Sequence, residues 1–519
     1  MQPKLLLPLA AAALVFAAPA AANAAITPQI NGNVLTLTGD ATDENATIGV
    51  NNAGLLTHNF GGDNTDFDAV TAGAQTLPSN DTIAVALNLG AGNDTTNLSA
   101  ANLANSTLNG EAGDDIITGT DNVDQISGGD GNDRITGFRG NDVVNGDAGN
   151  DVMIWNNGDG TDDNLGGDGV DETLITAGTA NDLMTVKPQG AVTRFDRSNA
   201  PFGINMTLVE RLAITSFSGN DSLVTDPGVA MNMVIDAGSG DDAITTGDGA
   251  HDVNGNDGND TLNGTGGGDR LIGDRGADTM NGGEADDTLV WNNGDGSDVM
   301  NGDGGVDRIE NNLGAGNDVS TFKPENGRAR YDRTSAGAFS LSIASAEFFE
   351  LNSLGGDDTL TTTPGSGLPV VADGGAGNDT FNVREGERGH YFGGSGTDAA
   401  TIDANDTTTD VETVSAPAVQ PPAQPGHGTI GKTAKYKKGK AAIKVSCPAG
   451  TSGCQGYVTL LYKGREIGRQ AYKLGGGQSK TYNVKVSRKP SSKRKPLTVK
   501  YRVSSRAAAD KEGKLKLVL

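Results

Sequence analysis

A nine-residue period dominates this chain and constrains its fold more than any other feature. Stepping by nine from Gly110 gives GEAGDDIIT, GTDNVDQIS, GGDGNDRIT, GFRGNDVVN and GDAGNDVMI. Every unit carries Asp at its sixth position: Asp115, Asp124, Asp133, Asp142 and Asp151. Every unit carries an apolar residue at its eighth: Ile117, Ile126, Ile135, Val144 and Met153. The same period returns from Ala237 to Val290, where the sixth positions are Asp242, His251, Asp260, Asp269, Asp278 and Asp287. His251 is the misfit. A shorter block follows, with GGAGNDTFN from Gly374 and GGSGTDAAT from Gly393, placing Asp379 and Asp398 at the sixth position.

Glycine permits the positive φ of a tight turn and the close approach of a second backbone. The last three residues of each nonad then form a short strand whose central apolar side chain points inward. Two nonads complete one coil of a flattened parallel roll, and coils stack about 4.8 Å apart. Asp of one nonad therefore lies beside Asp of the nonad two further on, along one edge. Rows of carboxylates at that spacing repel, and a hard cation converts the repulsion into a cross-link. Carboxylate and carbonyl oxygens in a flexible loop suit Ca²⁺ better than Mg²⁺, which requires tighter octahedral geometry. Zinc calls for His or Cys, and the blocks hold only His251. Cation binding would then supply folding free energy. The composition agrees: 77 glycines and 4 % aromatic residues leave too few large side chains for a conventional core. Such a composition, unpatterned, would indicate disorder; here it is patterned throughout.

The motif WNNGDG occurs at Trp155–Gly160 and Trp291–Gly296 and holds both tryptophans of the chain. In each copy Trp-Asn stands where a nonad should restart. The period resumes at Asn157 and Asn293 and adds Asp162, Asp171, Asp298 and Asp307 to the sixth positions. The motif thus reads as a phase reset, with Trp covering an apolar edge where the roll widens. Segments after the blocks also repeat: TVKPQGAVTRFDR (Thr185–Arg197) matches TFKPENGRARYDR (Thr321–Arg333). These spacers read as short strands continuing the solenoid in longer coils. Their Arg-aromatic-Asp-Arg motifs (Arg194–Arg197, Arg330–Arg333) read as ion-pair clusters on a strand, with sugar or partner binding as the alternative.

The nonads resemble the G-G-x-G-x-D-x-U-x repeats of the RTX, or haemolysin-type, calcium-binding family. That resemblance implies a parallel β-roll with several Ca²⁺ ions held between successive turns. It implies a ligand role for Asp115, Asp124, Asp133, Asp142, Asp151, Asp162, Asp171, Asp242, Asp260, Asp269, Asp278, Asp287, Asp298, Asp307, Asp379 and Asp398. One departure matters for export. Many RTX proteins use a C-terminal secretion signal, whereas this chain opens with Lys4, an apolar run from Leu5 to Ala18 and Ala22-Asn23-Ala24. That is the pattern of a secretory leader cut after Ala24. No other apolar run is long enough to span a bilayer as a helix. The expected location is extracellular, with cell-surface association as a further possibility.

The expected organisation is a leader (1–24), an N-terminal β region (25–109), calcium block 1 (110–174), spacer 1 (175–236), calcium block 2 (237–310), spacer 2 (311–372) and a short third block (373–414). A Pro-rich linker (415–429) precedes a basic domain (430–519), expected to be a small β-sandwich that weakly resembles Ig-like terminal domains of exported bacterial proteins. The fold class is therefore all-β: a parallel β-solenoid plus a terminal sandwich. From Ile430 onward there are 23 Lys and Arg against 3 Asp and Glu, so the preceding chain holds 16 basic and 63 acidic residues. The basic domain suits an anionic cell envelope or acidic polysaccharide; nucleic acid is not expected. The two cysteines, Cys447 and Cys454, are expected to close a small disulfide loop.

Catalytic signatures are lacking. GHGTIGKT (Gly426–Thr433) fits a phosphate-binding loop in letters, but it follows a proline linker rather than a buried strand. The four histidines form no H-E-x-x-H. The expected function is a non-enzymatic calcium-binding structural, adhesive or surface protein; the alternative is a carbohydrate-active solenoid with accessory calcium repeats.

Overall fold

A computed structural model describes residues 26–60, 77–80, 82–199, 202–335, 337–384, 386–415, 429–430, 433–438, 440–447, 454–462, 465–474, 478–487, 497–505 and 508–518. The expected leader and nearly all of the expected linker lie outside these residues. The described residues form strands and turns and no helix, so no helix is long and apolar enough to cross a membrane. The chain divides into two compact units: residues 1–177 with 188–213, and residues 178–187 with 214–519.

In the first unit the nonads wind into coils with two faces. One face stacks Ser106–Ala112, Asp124–Asp130, Val143–Gly149 and Asp162–Gly169 in parallel. The other stacks Thr95–Asn97, Ile116–Thr118, Arg134–Thr136, Val152–Asn156 and Glu172–Thr176, also in parallel. Pairing at an offset of two nonads puts Ile117 beside Ile135 and Ile126 beside Val144. These eighth-position side chains are buried, at 3 % exposure or less. They form the core because period-2 strands turn their central residue inward. Beyond WNNGDG the partners of Val144 and Met153 become Asn164 and Thr173, a step of 20 residues. Here the eighth positions are polar, and they satisfy each other inside the roll: Asn164 Nδ2 donates to the Thr173 hydroxyl at 3.2 Å.

In the second unit Asn232–Asp236, Asp252–Asn254, Arg270–Ile272, Thr288–Asn292 and Arg308–Asn312 form one parallel face. Ala243–Thr245, Thr261–Asn263, Thr279–Glu284 and Val299–Gly304 form the other. The spacer then enlarges a single coil. Phe339–Ala344 pairs in parallel with Val299–Gly304, and Val319–Glu325 pairs in parallel with Thr359–Thr362. Arg328–Arg333 runs antiparallel between Val319–Glu325 and Phe339–Ala344. The opposite face continues without interruption through Phe348–Asn352 to Val370–Asp373.

The tryptophans fill these enlarged coils. Trp155 is 1 % exposed and stacks on Phe202 with ring centres 3.7 Å apart. Trp291 is equally buried and stacks on Phe339 at 3.6 Å. Each indole N–H donates to the carbonyl of the glycine closing its own motif, Gly160 at 2.9 Å and Gly296 at 3.0 Å. The Trp therefore lies inside the roll, with no ring face left for a sugar. The aromatic residues of the repeated Arg-aromatic-Asp-Arg motifs, Phe195 and Tyr331, are also fully buried. Their arginines pair along the strand, Arg194 with Asp196 and Arg330 with Asp332, both at 2.7 Å.

The terminal strands of the second unit belong to one eight-stranded sheet. Lys440–Ser446 pairs antiparallel with Ser479–Lys485, and Cys454–Tyr462 pairs antiparallel with Arg465–Leu474 and Leu497–Ser505. Ala441, Ile443, Val445, Val458, Leu460 and Val484 share one buried core, built on this single sheet rather than between two separate ones. Cys447 and Cys454 are joined in a disulfide.

Candidate metal centre

The sixth-position acids stack into rows along the edges of the roll. In the first unit one row runs Asp94, Asp115, Asp133, Asp151, Asp171 and a second runs Asp124, Asp142, Asp162. In the second unit the rows are Asp221, Asp242, Asp260, Asp278, Asp298; His251, Asp269, Asp287, Asp307; and Asp318, Asp358, Asp379, Asp398. One contact builds all of them: the backbone N–H of each acid donates to Oδ1 of the acid one coil on. Examples are Asp115 to Asp133 and Asp133 to Asp151 at 2.8 Å, Asp124 to Asp142 at 2.8 Å and Asp142 to Asp162 at 2.9 Å. In the second unit Asp242 donates to Asp260 and Asp269 to Asp287 at 2.8 Å, and Asp278 to Asp298 and Asp287 to Asp307 at 2.9 Å. Asp379 donates to Asp398 at 2.8 Å.

All sixteen sequence-designated Asp residues are buried, none more than 4 % exposed. With Oδ1 committed to the ladder, Oδ2 is the free acceptor. In all of them except Asp124 and Asp162, Oδ2 is buried with no hydrogen-bond partner. An isolated buried acceptor of this kind costs about 1–3 kcal/mol, and more when charged; a repeated set of them calls for a common ligand.

Where the nonad begins with glycine, as at all the designated Asp residues except Asp162, Asp242 and Asp298, that glycine keeps open the space beside Oδ2. A Cβ at Gly110 would lie 2.3 Å from both Asp115 Oδ2 and Gly128 O. At Gly264 the corresponding distances are 2.4 Å to Asp269 Oδ2 and 2.3 Å to Gly282 O. A carboxylate oxygen and a carbonyl oxygen thus face one small space at these glycine-led rungs. Among the described residues no three His, Cys, Asp or Glu side chains converge on one point. The donor set is therefore mixed carboxylate and carbonyl oxygen, which fits a hard cation such as Ca²⁺ and not a soft transition metal.

Burial pushes these carboxyls up. Asp142, Asp269 and Asp307 rise to about 8. Asp115, Asp151, Asp162, Asp242 and Asp278 rise to about 7. Asp133, Asp260, Asp287 and Asp298 rise to about 6. Desolvation is the first cause in every case, ladder N–H groups oppose it, and neighbouring rungs add to it, as Asp162 does at Asp142 and Asp287 at Asp269.

Two rungs differ. In GTDNVDQIS, Thr120 takes the second position and closes over Asp124. Its N–H donates to Asp124 Oδ2 at 2.6 Å and its hydroxyl to the same oxygen at 2.9 Å. Asp124 thus has its free oxygen satisfied by protein, unlike its neighbours. His251 occupies the equivalent place in the second unit: its Nδ1 accepts from the Met233 N–H at 3.1 Å, as Asp124 Oδ1 accepts from Ser106 N–H at 3.0 Å. Burial lowers the imidazole to about 4, so it is neutral at pH 7. It brings no carboxylate to its rung.

The rows also contain acids the period had not singled out. Asp94, Asp318 and Asp358 carry the same buried, unpartnered Oδ2. Glutamates end three rows: Glu210 accepts from Asp171 N–H at 2.9 Å, Glu347 from Asp307 at 2.8 Å and Glu412 from Asp398 at 2.6 Å. The signal was present as an acid at the sixth position of worn nonads such as LGAGNDVST (Leu313–Thr321), where the missing glycines and apolar residues hid it.

The family model of the RTX calcium-binding nonapeptide repeat matches four copies, over residues 118–153, 254–289 and 371–387. No curated protein matches the chain. The matched residues carry the ladder, the open glycine space and the orphaned carboxylate oxygens, so these segments are RTX calcium-binding nonapeptide repeats.

Proposed function

We propose that this is an exported calcium-binding scaffold whose roll assembles on Ca²⁺ and serves a structural, adhesive or surface-associated role. The observation that carries the reading is the set of buried, unpartnered Oδ2 atoms aligned in rows. Asp115, Asp133, Asp142, Asp151, Asp171, Asp242, Asp260, Asp269, Asp278, Asp287, Asp298, Asp307, Asp379 and Asp398 would hold the ions with neighbouring backbone carbonyls. Asp124, closed by Thr120, is the weakest member of the expected set, and Asp162 lacks the unpartnered oxygen. The bound ion would supply positive charge to a row of like charges, so its binding free energy becomes folding free energy.

The terminal domain supplies the surface role. Lys437, Lys440 and Lys485 lie directly opposite one another across three strands and all are exposed. Like charges in that arrangement destabilise a sheet, and among the described residues none of the three pairs with a carboxylate. An anionic envelope or acidic polysaccharide would offset that repulsion.

Calcium titration of the mature chain tests the folding claim. Circular dichroism in EGTA should show reduced β structure, with a cooperative gain on adding millimolar Ca²⁺ and none on equal Mg²⁺. An unchanged spectrum across the titration would refute calcium-dependent folding.

A further inference from the structure

The row in the first unit does not stop at the first nonad block. It continues toward the N-terminus into residues that lie outside the RTX match. Gly39–Thr47 reads GDATDENAT, with Gly first, Glu44 sixth and Ala46 eighth. The next coil begins at Leu89, fifty residues later, and places Asp94 sixth. The two segments stack in parallel with Ala46 beside Thr96.

The contacts repeat those of the nonads. Glu44 N–H donates to Asp94 Oδ1 at 2.6 Å, and Asp94 N–H donates to Asp115 Oδ1 at 2.7 Å. Glu44 Oε1 accepts from Asp40 N–H at 3.0 Å. Glu44 is 2 % exposed and Asp94 1 %, yet Glu44 Oε2 and Asp94 Oδ2 have no hydrogen-bond partner. The open space is also present. A Cβ at Gly39 would fall 2.0 Å from Leu89 O and 3.0 Å from the Glu44 carboxyl carbon, the same pairing of carboxyl and next-coil carbonyl found at Gly110. A glutamate that merely ended the row would turn its charge to water, since a buried unpaired carboxylate is costly. Here the longer side chain is folded back and buried with a free oxygen.

We infer that Glu44 and Asp94, with the Leu89 carbonyl, form a further calcium site outside the recognised repeats. The inference rests on the reading that the rows bind calcium. The site takes a hard divalent cation because its facing donors are all oxygens. It would tie Gly39–Thr47 to the coil that begins fifty residues later at Leu89.

The test compares the mature full-length chain with a Glu44→Gln/Asp94→Asn variant and an Asp133→Asn variant. Bound calcium per chain is measured by equilibrium dialysis with atomic absorption. The double variant is expected to bind one ion fewer than the parent. If Asp133→Asn loses calcium and the double variant binds as much as the parent, the inference is overturned and the reading of the rows stands. If neither variant loses calcium, the reading of the rows fails and this site fails with it. Should the double variant not fold, hydrogen exchange on the parent decides: amides of Asn45–Val50 must gain protection on calcium addition, and their indifference to calcium overturns the proposal.

Discussion

In the proposed calcium-dependent roll, acid should be able to take the place of calcium, and the size of the effect follows from the rows. Consider Asp242, Asp260, Asp278 and Asp298, joined by successive N–H to Oδ1 contacts and none more than 2 % exposed. If their carboxylates repeat at the strand spacing of about 4.8 Å, each neighbouring pair of unit charges repels by about 3.5 kcal/mol at an effective dielectric near 20. Three neighbouring pairs amount to roughly 10 kcal/mol, comparable to the whole stability of a typical domain. Burial leaves salt little access to screen them. The calcium-free roll is therefore expected to be unstable at pH 8, where all four are largely ionised. Protonation removes the repulsion. In the folded state Asp242 and Asp278 sit at about 7 and Asp260 and Asp298 at about 6, against about 3.9 when unfolded. A raised carboxyl means the folded state binds more protons. Its stabilisation is complete below about pH 4 and is lost as pH rises through 6 to 7. Circular dichroism in EGTA should thus show β structure returning between pH 8 and pH 5. The calcium needed for half-folding per carboxylate should rise on acidification, because protons and calcium compete. A calcium-free chain fully folded at pH 8, or one that loses β structure on mild acidification, would refute the electrostatic account.

Two further outcomes follow from single rungs. His251→Asp restores a carboxylate where a neutral imidazole stands; calorimetry should show a calcium-free chain melting lower, a calcium-loaded chain melting higher, and one more ion bound. An unchanged calcium dependence would mean that the rung is closed by other groups. Trp155→Ala removes a buried ring and its stack on Phe202, and urea unfolding of the calcium-loaded protein should show a loss of about 3–5 kcal/mol. A loss below about 1 kcal/mol would show that the ring packs on the surface.

Much of this was legible because the period is local. Gly110, Asp115 and Ile117 announce turn, row position and core within nine residues, and the offset of two nonads places Ile117 beside Ile135. WNNGDG was legible as a two-residue phase change, and the step to 20 residues between Val144 and Asn164 is its structural form. The burial of Trp155 was not, because its stacking partner Phe202 comes from a strand in the spacer. Glu44 was hidden for a similar reason: the segment it stacks on lies fifty residues away, an offset that the nine-residue period does not reach.

The sequence by itself determined the repeat, the apolar core line, the acidic edges and the oxygen chemistry of the cation they suit. Only the tertiary structure decided which acids keep an unsatisfied oxygen. Asp124 and Asp133 stand at the same position of adjacent nonads, yet Thr120 closes over the first and nothing closes over the second. Spacing along a chain fixes which residues share an edge. Whether an oxygen there is free depends on hydrogen bonds made within its own turn and to the coil beside it, and those exist only once the coils are stacked.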